Sequence, residues 1–201
     1  MLGRYDKRQT TNVREAGTGV GKSEIGEISN ASPAAPAVDA RHLYRTFRTI
    51  GKEFTALADI TFTIPQGEAT AILGVNGAGK TTLSKILATW LYPTSGTVNI
   101  FGADVVTAAA HARQHIVAVF GGDRGLYPML TAWENLSYFA AIRGAALPKS
   151  QLASILDSVG LSDAAHRRVE EYSKGMKQRL HIAVGLSANA PILLLDEPTV
   201  G

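Results

Sequence analysis

Cysteine is missing altogether from these 201 residues, which excludes disulfides, thiolate metal sites and cysteine nucleophiles. Long apolar runs are missing too. None approaches the ~18 residues that a membrane-spanning helix needs, and the N-terminus shows no apolar signal-peptide core, so the cytoplasm is the expected compartment. There is no Lys/Arg block of the kind that marks a nucleic-acid surface. Net charge is only +3, so no nucleic-acid partner is expected. What remains is ordinary: 45% hydrophobic and 18% charged residues, with length for one domain and a tail.

The tail is read at the front. Residues 1–39 are rich in Gly, Ser, Thr, Asn, Ala and Pro, with isolated apolar residues. Such a segment buries too little apolar surface to offset its ordering entropy, and it is expected to be a disordered extension. It contains a decoy, Gly17-Thr18-Gly19-Val20-Gly21-Lys22-Ser23. This ends like a phosphate-binding loop, but Ala16 stands where the first glycine belongs, and neither strand nor helix flanks it.

From Ala40 onward, periodicity takes over. Ile60, Phe62 and Ile64 alternate with threonines, which predicts a strand with one buried face. Pro65-Gln66-Gly67-Glu68 predicts a turn, and Ala69–Leu73 a buried strand. Then comes Gly74-Val75-Asn76-Gly77-Ala78-Gly79-Lys80-Thr81-Thr82, a P-loop followed by a helix expected over Thr82–Leu91. Glycines let successive N–H groups point at phosphate oxygens, at a helix N-terminus whose dipole favours an anion. Lys80 would bridge the β- and γ-phosphates of a nucleoside triphosphate, and the Thr81 hydroxyl would ligate Mg²⁺.

Further on, Thr97–Ile100 and Ile116–Phe120 predict strands. Thr131-Ala132-Trp133-Glu134 predicts a capping box. Leu152, Ile155, Leu156 and Val159 mark an amphipathic helix that Gly160 ends. Pro191–Leu195 predicts a central strand buried on both faces, with Asp196 and Glu197 at its C-terminal end, where ligands sit in open α/β sheets. Asp196 would hold Mg²⁺ through water. Glu197 would polarise the water that attacks the γ-phosphate, a base of a kind worth roughly 10²–10⁴ in rate.

Between the P-loop and this acidic strand lies Ser173-Lys174-Gly175-Met176-Lys177-Gln178. With that segment the chain, from about Asp39 to Gly201, resembles the ATP-binding subunit of an ABC transporter: Walker A at Gly74–Thr82, the signature at Ser173–Gln178, Walker B at Leu193–Thr199. The Ser-Lys-Gly-Met-Lys-Gln form of the signature is similar to that of ABC-2 exporters. The resemblance implies an α/β fold: a P-loop NTPase core with a mostly parallel central sheet, an antiparallel β subdomain, and an inserted helical subdomain over about 125–172. The ATP-binding domain would run from 40 to 201.

It also implies that two such domains pair head to tail. Ser173 and the Gly175 N–H would bind the γ-phosphate held by the other copy's Lys80. The expected cofactors are ATP and Mg²⁺. The expected partners are a second nucleotide-binding domain and a membrane permease, which would place the protein peripherally at the inner face of the membrane. Phe47 falls where an aromatic stacks on adenine, with Tyr44 as the rival.

Two departures from the family accompany it. Gly122 occupies the place of a glutamine that contacts Mg²⁺, with Asp123 beside it, and the sequence stops shortly after Walker B, as a truncated domain would. None of His42, His111, His115, His166 or His181 lies where the family places its γ-phosphate histidine. The expected activity is ATP hydrolysis coupled to export. The alternatives are a soluble ABC ATPase of translation or DNA repair, and an ATP-binding fragment without turnover.

Overall fold

The computed structural model describes residues 35–120, 125–144 and 147–196. The decoy at 17–23, Gly122, Asp123 and Glu197 lie outside the described residues. β1 (Val38–Thr49) and β2 (Lys52–Ile64) form a long antiparallel hairpin around the turn Ile50–Gly51. β1 also pairs with β3 (Ser95–Ile100), and β3 with the short β4 (Ala103–Asp104), in the order β2-β1-β3-β4. The expected domain boundary at Asp39 falls inside β1, whose first residue Val38 is already buried.

Alternation on β1 is interrupted at a register shift between Ala40 and Leu43, where His42 turns to φ 47. Val38, Ala40, Leu43, Val98 and Ile100 face inward against Leu83, Ile86 and Leu87 of α1 (Lys80–Leu87), and Ile60, Phe62 and Ile64 pack at the margin of the same cluster. Removing each of the larger of these side chains from water contributes roughly 1.5–3 kcal/mol.

A second layer is parallel. After the short α2 (Ala109–Ala112), β5 (Ile116–Phe120) pairs in register with β6 (Ile192–Asp196), from Ile116 opposite Ile192 to Phe120 opposite Asp196. The third part is helical: α3 (Ala132–Ile142), α4 (Lys149–Ser158) and α5 (Lys174–Ser187) enclose Leu136, Leu152, Leu156, Leu161, Val169 and Leu180. Gly160, with φ 64, follows the end of α4 as its sequence position suggests. α5 belongs to both parts. Its Gly185 lies against the parallel pair so closely that a Cβ there would stand 2.8 Å from Leu193 Cδ1 and 2.9 Å from Val119 Cγ2.

Three expectations need correction. Ala69–Leu73 is not a buried strand: it has no ladder partner among the described residues, and Leu73 is 77% exposed. Thr70–Leu73 instead shares a cavity of 590 Å³ with Leu193–Leu195 of β6. For the same reason β6 is not buried on both faces. Its ladder partner is β5, and Leu195 remains 39% exposed. The helix expected to reach Leu91 stops at Leu87, because Thr89 turns left-handed (φ 59) and the Trp90 and Leu91 N–H groups both donate to the Lys85 carbonyl.

Candidate nucleotide-binding site

The phosphate loop is built at the start of α1. Gly79 takes φ 89, caps the helix, and provides no side-chain acceptor to its first N–H groups. No acidic residue occupies the first turn. These orphan donors and the positive end of the helix dipole are what an anion needs. Gly79 is required twice over, by its backbone angle and by contact. A Cβ there would fall on the Ala56 carbonyl oxygen of β2 and within 2.8 Å of Leu57 Cδ2. The loop is thereby pressed directly on the hairpin.

Within the loop the Ala78 N–H donates to the Val75 carbonyl at 3.1 Å. The Lys80 ammonium donates to the carbonyls of Gly74 (2.8 Å) and Val75 (2.9 Å). It is held inside the curl by both carbonyls, so its side chain is already ordered.

Asn76, Gly77, Gly79, Lys80, Thr81 and Thr82 line a cavity of 290 Å³ that continues to Phe47, Phe54 and Ala56 on the hairpin. The structure therefore joins Phe47 to the P-loop. Tyr44, its rival, is absent from that lining. The Arg45 guanidinium carbon lies 4.5 Å from the Phe47 ring centroid, while Arg45 Nη1 donates to the Tyr92 carbonyl at 3.1 Å.

On the acidic side, Asp196 ends β6 beside Phe120 and is only 9% exposed. Its Oδ1 accepts from the Ser84 hydroxyl at 3.3 Å. Ser84 lies three residues beyond Thr81 on α1, so the carboxylate reaches the helix about one turn from the Thr81 hydroxyl. A threonine hydroxyl and a carboxylate form a hard oxygen donor set of the kind Mg²⁺ takes when phosphates and water complete its octahedron. Among the described residues no group of three or more His, Cys, Asp or Glu could hold a metal unaided.

The signature segment opens α5. Ser173 is its N-cap and its hydroxyl accepts from the Met176 N–H at 3.2 Å. Gly175, by contrast, has nothing within 4 Å of where a Cβ would stand. It stands in the first turn of α5, and no packing within the described residues requires a glycine there.

Of the histidines, His42 pairs with Asp59 at 2.8 Å, the His115 ring lies at a tilt against both His111 and Phe101, and His166 lies on Trp133. Sequence reading missed Phe54 and Ser84. Counting pairs outward from the Ile50–Gly51 turn would have placed Phe54 opposite Phe47. Ser84 carried no signal beyond its helical spacing from Thr81.

The sequence pattern of the family described as "ABC transporter" matches residues 57–200. Among curated relatives, the chain is 40% identical over 159 residues to "ABC transporter ATP-binding protein NatA" of Bacillus subtilis, covering 78% of the chain and 65% of NatA. It is 38% identical over 157 residues to "Doxorubicin resistance ATP-binding protein DrrA" of Mycobacterium tuberculosis, covering 77% of the chain and 47% of DrrA. The chain thus spans about half to two thirds of these relatives. Among solved structures, the ATP-binding cassette MJ0796, in a dimeric post-hydrolysis state bound to ADP and Pi, superposes with a TM-score of 0.71 at 28% identity, over 81% of this chain and 74% of that one.

Proposed function

Since the chain belongs to the ABC transporter family, we propose that it binds and hydrolyses ATP as one of a pair of nucleotide-binding domains that drive export through a separate membrane permease. The observation that carries this reading is the continuous cavity from the Lys80 and Thr81 end of the P-loop to the aromatic residues of the hairpin. Its two ends match the two ends of a nucleotide.

The P-loop N–H groups and Lys80 bind the β- and γ-phosphates, and Gly74, Asn76, Gly77, Ala78, Gly79 and Thr82 shape or line the curl around them. Thr81 and Asp196 would hold Mg²⁺, which when bound neutralises charge developing on the phosphate oxygens. Glu197, next along the chain from Asp196, orients the attacking water and takes its proton. Ser173 and the Gly175 N–H complete the site of the other copy. The open space at Gly175 supports this role, because a close approach from outside explains a first-turn glycine that internal packing does not.

Among the described residues no helix is long and apolar enough to cross a membrane. On the family's account we place the protein at the inner face of the membrane through its permease, which also selects the cargo. DrrA, named for doxorubicin resistance, supports the exporter assignment.

The test is Lys80→Ala with ATP affinity measured by calorimetry. Loss of a desolvated charge partner costs roughly 2–5 kcal/mol, so binding should fall by a factor of about 30 or more. Unchanged affinity would overturn the assignment.

A further inference from the structure

We infer that Phe54 forms a second aromatic wall of the cavity and, with Phe47, holds the nucleobase by its faces. The inference rests on the nucleotide reading of the P-loop and goes beyond it to a residue that no motif includes.

Phe47 and Phe54 are direct partners in the β1–β2 ladder. Residues opposite each other in an antiparallel pair project from the same face of the ribbon. Both line the 290 Å³ cavity together with the P-loop, so the hairpin brings two aromatic side chains to the same cavity as Lys80. Phe54 is 60% exposed and Phe47 36%. Two phenyl rings left open on one hairpin face are apolar area that a flat, apolar-faced ligand would remove from water.

Arg45 limits how such a ligand can lie. Its guanidinium sits over the Phe47 ring at 4.5 Å from the centroid, and its Nε is buried without a hydrogen-bond partner. A buried unpaired donor is unfavourable, so the stacking position is held against a cost. With that cation over Phe47, a base has less freedom to choose its side of the ring.

Distance is fixed as well. Gly79 of the phosphate loop touches the Ala56 carbonyl, two residues from Phe54 along β2, a rise of about 7 Å. The aromatic and phosphate ends are therefore locked to one strand in one register. The polar side chains of the cavity, Asn76, Lys80, Thr81 and Thr82, all belong to the P-loop and its helix. The hairpin end offers only apolar side chains, which read the face of a base rather than its edge.

The test compares ATP, GTP and inorganic tripolyphosphate, each with Mg²⁺, for the unaltered protein, Phe54→Ala and Phe54→Leu by calorimetry. Loss of one stacking wall should weaken ATP and GTP alike by about five- to a hundred-fold in Phe54→Ala, and by a similar factor in Phe54→Leu, which keeps bulk but no π-face. Tripolyphosphate affinity should stay the same in both. Unchanged ATP affinity in Phe54→Ala would overturn the inference, and so would an equal fall for ATP and tripolyphosphate, which would trace the loss to the loop. Lys80→Ala separates the two claims. If it abolishes ATP binding while Phe54→Ala does nothing, only the aromatic wall fails.

Discussion

Asn135 is fully buried on α3, and its amide holds together the turn that precedes the helix. Its Oδ1 accepts from the Tyr127 N–H at 2.8 Å, and its Nδ2 donates to the carbonyls of Tyr127 (3.0 Å) and Thr131 (2.9 Å). Asn135→Ala would leave these backbone groups without their partner in a dry place. It should cost roughly 1–3 kcal/mol, read as a lower urea midpoint. A midpoint within error of the unaltered protein would mean that water replaces the amide freely. Nothing in the sequence marked this asparagine, because its partners, though only four and eight residues back, are backbone atoms that carry no side-chain pattern. Lys80, Thr81 and Asp196 were visible because each stands in a short run of residues with a recognisable pattern. Phe54 lies between these cases, since its role comes from a cross-strand partner seven residues away.

Among the elements, those governed by local chemistry were readable in advance. The capping box of α3 forms in full: Glu134 N–H donates to the Thr131 hydroxyl at 3.1 Å, and the Glu134 carboxylate accepts from the Thr131 N–H at 2.8 Å and its hydroxyl at 2.9 Å. Those backbone and side-chain donors hold the Glu134 carboxyl below the usual glutamate range. A depressed carboxylate adds stability above its unfolded pKa and loses it as pH falls through the folded one. Glu134→Gln should therefore flatten the acid limb of the stability profile below about pH 4.5, with the two proteins alike in acid and the variant less stable at neutral pH. Equal slopes of the acid limb in the two proteins would refute that assignment. Elements decided by distant partners were less readable. The apolar periodicity of α1 continues through Trp90 and Leu91, yet Trp90 leaves the helix to stack on Phe120 at 4.5 Å. Ala69–Leu73 has the composition of a strand, but composition cannot say whether a neighbouring strand lies alongside.

For the whole molecule, the P-loop and the signature serine open different helices, α1 and α5, that meet the parallel pair from separate places: Ser84 reaches Asp196, and Gly185 lies on Val119 and Leu193. The paired arrangement proposed above makes ATP itself part of the contact between two copies. Glu197→Gln should then keep ATP affinity while halting turnover, and should run as an ATP-dependent dimer in size-exclusion chromatography. A protein that binds ATP fully yet stays monomeric would argue against head-to-tail pairing. The seat of Gly79 on the Ala56 carbonyl also has a consequence for how this domain can diversify. Contact with a main-chain atom leaves the side chain at position 56 free to drift, but not the number of residues along β2. Insertions or deletions around Ile50–Gly51 lengthen or shorten the hairpin tip and spare the cavity. One added residue between Phe54 and Ala56 would turn the aromatic ring to the opposite face. Related chains should therefore vary in length at the tip and keep a constant count from the aromatic pair to the strand beneath the phosphate loop.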